Sequence, residues 1–106
     1  MTEYIQVVTT AGSKEEAQKL AGELVGRRLA ACAQVMGPIT STYWWQGVIE
    51  TADEWLCVLK GRRDLFEELA AVLKEIHSYQ VPEILALPAA AVGQEYQAWL
   101  AAELKR

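Results

Sequence analysis

The longest extended pattern in the chain runs from Cys32 to Lys60, and its length limits what the rest of the molecule can be. Cys32–Trp45 and Val48–Lys60 read as two strands joined by Gln46-Gly47, a pair suited to a tight hairpin turn. Each arm holds about 13–14 residues and can reach roughly 45 Å at ~3.3 Å per residue. A compact domain of 106 residues has a radius of gyration of ~13 Å, hence a diameter of roughly 33 Å. The hairpin must therefore project beyond its own domain or bend sharply at Gly37-Pro38, where a bulge is expected. Its tip carries Tyr43, Trp44, Trp45 and Val48. Side chains alternate along a strand, so both faces of the tip are aromatic or apolar. An isolated two-stranded ribbon is marginal in water, so the expectation is that the tip packs on a neighbouring subunit and the chain is an oligomer.

Around this hairpin the elements fall in a simple order. Glu3–Thr10 is β-branched and aromatic and reads as a first strand. Ser13 followed by Glu16 has the form of a capping box, and Ala17, Leu20, Ala21, Leu24 and Val25 recur at helical spacing, giving a helix over Lys14–Arg28. Gly22 and Gly26 in that helix suggest a close approach to a sheet. Arg62 or Arg63 opens a second helix, with Asp64 near its positive end and Leu65, Leu69, Val72, Leu73 and Ile76 as the buried stripe. Glu83–Leu87, bounded by Pro82 and Pro88, is a fourth strand, and Gln94–Lys105 a last amphipathic helix. The order β-α-β-β-α-β-α defines an α+β fold, the ferredoxin-like split-βαβ arrangement with an added C-terminal helix. Its helices cover one face of an antiparallel sheet and leave the other open.

Composition narrows the function. Residues 1–106 are expected to form a single domain, large enough for a core without a structural metal. The 52% hydrophobic content must leave apolar surface either exposed or covered by another subunit. A net charge of −4 with no basic block argues against nucleic acid and anionic membrane as partners. No signal-peptide pattern or membrane-spanning run is present, and a cytoplasmic location is expected. Cys32 and Cys57 are too few for a disulfide scaffold. The hairpin register also offsets them by about four residues, roughly 13 Å, so both are expected to be free thiols.

The chemistry-bearing residues are few. His77, the lone histidine, falls at the end of the second helix, where its ring can either cap the last carbonyls or act as a metal ligand. Cys32 can be a small buried hydrophobe or a soft metal ligand. Glu83, held extended after Val81-Pro82, can be a carboxylate ligand, an interface contact or a solvated charge. Tyr79 and Trp44 can line a pocket or pack at an interface. No nucleophile–base pair, P-loop or dinucleotide motif occurs, so no catalytic residues are assigned and an enzyme is not expected.

Four stretches together resemble one family, the CutA divalent-cation tolerance proteins. They are Arg28-Leu29-Ala30-Ala31-Cys32, Tyr43-Trp44-Trp45-Gln46-Gly47, His77-Ser78-Tyr79-Gln80-Val81-Pro82-Glu83-Ile84 with the following Leu85-Ala86-Leu87-Pro88, and Glu95-Tyr96 with Trp99-Leu100. The resemblance spans nearly the whole chain. It implies a ferredoxin-like homotrimer, similar in architecture to PII-type signalling proteins. It also implies a role in copper or divalent-cation tolerance by metal binding rather than catalysis, with no tightly bound cofactor. Cys32 and His77 match the family's cysteine and histidine, and with Glu83 they are the expected ligands for Cu2+ or another divalent metal near a subunit interface. Tyr43, Trp44, Trp45, Gly47, Tyr79 and Pro82 are the expected cleft or interface residues. The alternative is a PII-like scaffold that takes a small molecule or protein partner in the inter-subunit cleft. Val48, Ser78 and Gln80 depart from the family's usual Lys, Pro and Glu, which implies a less polar pocket.

Overall fold

The computed structural model describes residues 3–106. Strand β1 spans Tyr4–Ala11, helix α1 Lys14–Gly26, β2 Cys32–Trp45, β3 Val48–Arg62, α2 Phe66–Ile76, β4 Leu85–Pro88 and α3 Gln94–Glu103. The four strands form one antiparallel sheet in the order β2-β3-β1-β4, the ferredoxin-like order expected from the sequence.

The hairpin is long because its turn and its alternation agree. Gln46 and Gly47 both take positive φ, 49° and 85°, the geometry whose twist matches paired strands, and Gly47 adopts it without a Cβ clash. Pairing runs from Trp45↔Val48 to Ile39↔Glu54, then slips by one residue across Gly37-Pro38 and resumes at Met36↔Leu56. Two residues of β2 thus oppose Trp55 alone, a bulge. Its consequence is a change of face. Even-numbered β2 residues before it and odd-numbered ones after it share a side of the sheet, since a one-residue shift reverses alternation. β1 ends opposite Trp55, so the distal hairpin, residues 39–54, runs past its only other neighbour. The molecule measures 44 × 25 × 23 Å, as a projecting hairpin requires.

Ile5, Val7 and Ala11 of β1 and Cys57 and Leu59 of β3 face the helices and are buried there with Leu20, Leu24, Leu69 and Leu73. Each such leucine, isoleucine or valine side chain contributes ~1.5–3 kcal/mol by leaving water. Ser13 caps α1 by accepting the Glu16 N–H at 3.1 Å, as its position predicts. Glu16 does not close the reciprocal half of a capping box; its carboxylate accepts the Ser78 N–H at 3.0 Å instead. Gly22 and Gly26 face open space, so neither permits a close approach to the sheet. Asp64 sits in a short 3-10 turn before α2 and pairs with Arg62 at 2.6 Å. Cys32 and Cys57 are free thiols, for the register reason given above.

Both outer strands, β2 and β4, present an unpaired edge. Met36, Trp44, Val48, Ile49, Leu85 and Leu87 are exposed, as are Tyr96 and Trp99 of α3, which stack at 5.6 Å. Among the described residues no helix is long and apolar enough to cross a membrane.

Candidate functional site

A cleft of about 700 Å³ opens where the projecting hairpin meets the segment after α2. One wall is Ser41–Trp45 of β2, the other Tyr79–Glu83, and Thr10 and Glu54 close the floor. The bulge makes this possible. It brings Ile39, Ser41 and Tyr43 onto the same side of the sheet as Glu54, their cross-strand register.

Glu54 is the best-buried carboxylate of the site, at 7% exposure. Its Oε2 accepts a hydrogen bond from the Tyr79 hydroxyl at 2.8 Å. Burial, this bond and the Glu54 charge all push the Tyr79 phenol well above its ordinary range, so it remains a donor at neutral pH. Glu83 stands on the opposite wall. Although much of its surface is exposed, desolvation of its carboxyl, followed by the Glu54 charge, pushes its pKa up. Two acidic groups therefore share a cavity whose lining contains no lysine, arginine or histidine. The walls are aromatic, with Trp44 72% exposed.

His77 lies behind this cleft. It is the C-cap residue of α2, but its ring does not turn back onto the helix carbonyls as a simple cap would. The ring is fully buried and Nε2 lies 2.8 Å from the Thr10 carbonyl oxygen of β1. The Tyr79 N–H donates to Nδ1 at 3.1 Å. A backbone N–H can only donate and a carbonyl only accept, so the neutral ring carries its proton on Nε2. Both nitrogens are engaged, and no lone pair is left for a metal. The 3.8 Å between Nδ1 and Glu16 Oε2 is accordingly not an ion pair of this neutral ring.

The expected ligands do not converge within one chain. Cys32 pairs with Lys60, whereas Thr10, which holds His77, pairs with Leu56; the two are about 13 Å apart along the sheet at ~3.3 Å per residue. Glu83 alone of the three opens on the cleft. Among the described residues no group of three or more His, Cys, Asp or Glu could hold a metal ion. Tyr43, Trp44, Trp45, Tyr79 and Pro82 line the cleft, while Gly47 lies at the hairpin turn outside it. Sequence reading missed Thr10 and Glu54. The signal for Glu54 was a carboxylate at a strand position next to a tryptophan, but which β2 side chains join it depended on the bulge.

These features define a class: an α+β sheet protein with a projecting hairpin and an acidic, aromatic-walled cleft at the hairpin's base. The sequence profile of the CutA1 divalent ion tolerance protein family matches residues 5–103, and the chain belongs to that family. It is 38% identical over 96 residues to the chloroplastic protein CutA 1 of Oryza sativa, covering 91% of this chain and 54% of that one, so it spans about half the length of that relative. The divalent cation tolerance protein of Thermus thermophilus superposes with a TM-score of 0.93 at 38% identity, over 96% of this chain and 99% of the other. The protein CutA from Archaeoglobus fulgidus, described as a periplasmic divalent cation tolerance protein, gives 0.92 at 35% identity, over 96% and 99%.

The periplasmic and chloroplastic relatives overturn the expected cytoplasmic location. The physical reason is that this fold is compatible with several compartments. Sorting signals are read by receptors, not by the packed domain.

Proposed function

We propose that the chain serves divalent-cation tolerance as a homotrimer, taking a divalent cation in the cleft beside a subunit interface, with Glu83 and Glu54 as oxygen ligands. The observation that carries this reading is the pair of carboxyl groups across a cavity with no basic side chain in its lining. One chain offers two carboxylates there, too few for a closed coordination shell, so hydroxyls, water or a neighbouring subunit must complete it. Self-association is supported by two free strand edges and by exposed apolar residues on the sheet. Copper preference would require a softer donor than carboxylate, and Cys32, half-buried at the start of edge strand β2, is this chain's half-accessible thiol.

A second reading, a small organic ligand or protein segment in the same cleft, is favoured by its volume and by the exposed Tyr43, Trp44 and Trp45. Calorimetric titration with Cu2+, Zn2+ and Mg2+ separates the two. Saturable binding that is lost in Glu83→Gln and Glu54→Gln supports the metal reading, whereas unchanged affinity in both variants sinks it. A sedimentation mass of one chain at micromolar concentration would overturn the trimer.

A further inference from the structure

The resemblance implies His77 as a metal ligand, and the geometry points to another role. We propose that His77 is a positioning residue, whose two ring nitrogens fix Tyr79 so that its phenol holds Glu54 in the cleft. The inference rests on the cation-site reading for its affinity readout only.

Three elements meet at this ring. β1 offers the Thr10 carbonyl to Nε2, and the segment after α2 gives the Tyr79 N–H to Nδ1. The His77 and Tyr79 rings lie 4.8 Å apart at 41°, so the same residue that is held by its backbone is also packed by its side chain. α1 contributes Glu16, which takes the neighbouring Ser78 N–H and so pins the same turn from the other side. Two consecutive amides, those of Ser78 and Tyr79, are thus committed to fixed acceptors. With its backbone anchored, Tyr79 reaches β3 and donates to Glu54 Oε2 at 2.8 Å. Among the described residues Glu54 Oε1 has no protein partner, which leaves that oxygen for a cation while the phenol occupies the other.

The chemistry explains why a histidine stands here. A neutral imidazole carries one donor and one acceptor on opposite sides of a rigid ring. Thr10 requires the donor and Tyr79 the acceptor. A metal would have to take the Nδ1 lone pair from the Tyr79 N–H, which would leave that amide without its partner in a part-buried position. Ligation at Nδ1 and the Tyr79 N–H bond to that nitrogen are therefore mutually exclusive.

The test uses the full chain and Zn2+, which is diamagnetic. Ring nitrogen NMR on the wild type is expected to show Nε2 protonated and Nδ1 not, unchanged on adding Zn2+. His77→Gln retains a donor and an acceptor, whereas His77→Phe keeps ring volume and has neither. The Tyr79 amide proton shift, read without metal, is expected to survive in His77→Gln and collapse in His77→Phe. Zn2+ affinity should stay within roughly twofold in His77→Gln and fall by about tenfold or more in His77→Phe, the range typical of lost outer-shell support. Tyr79→Phe should lose as much, and adding His77→Phe to it should lose little further. Zinc-induced displacement of a ring nitrogen shift, or equal affinity loss in His77→Gln and His77→Phe, overturns the proposal. If the wild type binds no zinc, the cation reading of the cleft fails. The tautomer and the Tyr79 amide still decide the positioning role.

Discussion

Removing a single oxygen, in Tyr79→Phe, isolates the contact on which the cleft floor depends. The ring and its packing on His77 remain; only the 2.8 Å bond to Glu54 Oε2 is lost. A hydrogen bond to a charged acceptor contributes ~1.5–3 kcal/mol, about twice a neutral one, and at 7% exposure Glu54 recovers little of that from solvent. The expected loss is ~2 kcal/mol, a fall of about 1 M in the urea midpoint for a domain with an m-value of ~1–3 kcal/mol/M. Loss of stability alone would not prove the contact, because any disturbance of the turn lowers it. A double-mutant cycle with Glu54→Ala does, since it isolates the pairwise energy. Unfolding of the four proteins in urea at one fixed protein concentration should give a coupling of ~1.5–3 kcal/mol. A coupling below ~0.5 kcal/mol, the value of an ordinary exposed pair, would refute the argument that Tyr79 and Glu54 act as a unit.

Three further outcomes follow from the same geometry. Burial pushes the Glu16 carboxyl up, but the hydrogen bonds from Ser78, with smaller contributions from His77 and the Gly12 N–H, outweigh it and the net pKa is lowered from 4.5. A folded-state pKa below the unfolded one stabilises above 4.5 and is lost as pH falls through the folded value. Stability of the wild type should therefore drop on acidification below about pH 5, and Glu16→Gln should be less stable at about pH 7 with a flatter acid limb; parallel curves would contradict this. Burial raises the Cys57 thiol to about 11, so at about pH 8 a thiol reagent should label Cys32 well before Cys57, checked by mass spectrometry of peptides, and equal rates would be inconsistent with the packing. In Gly37→Ala the new Cβ would meet Trp55 Cδ1 at 2.6 Å and the Glu54 carbonyl oxygen at 3.1 Å. Relieving that overlap should cost ~1–3 kcal/mol in thermal or urea unfolding and alter the near-ultraviolet dichroism of the tryptophans, and an unchanged midpoint would show the bulge to be plastic.

Much of the scaffold was legible from local pattern. Alternation over Cys32–Trp45, the turn at Gln46-Gly47, the cap at Ser13 and the apolar stripe of α2 each lie within a few residues of one another. Local chain geometry is sufficient to specify such features. The length of the hairpin against the size of the domain gave its projection as well, because both are chain-length quantities.

The site was legible only in its walls. Tyr43, Trp44, Trp45, Tyr79 and Pro82 announce themselves as large or rigid residues beside a turn or a helix end. Glu54 and the role of His77 do not. Glu54 shares the cleft with Ser41 and Tyr43 because two residues of β2 stand opposite Trp55, a shift that reverses every β2 face beyond it. His77 is held by Thr10, a residue 67 positions earlier, because the fold lays the end of α2 against the end of β1. Cys32 and His77 share a sequence signature yet lie at different positions along the sheet, since strand register, not motif order, sets their separation. The sequence by itself determined the elements, their order and the reach of the hairpin, all consequences of short-range periodicity and chain length. Tertiary structure alone decided which side chains share the cleft, because strand register, the bulge and the crossover order join residues that have no local physical relation.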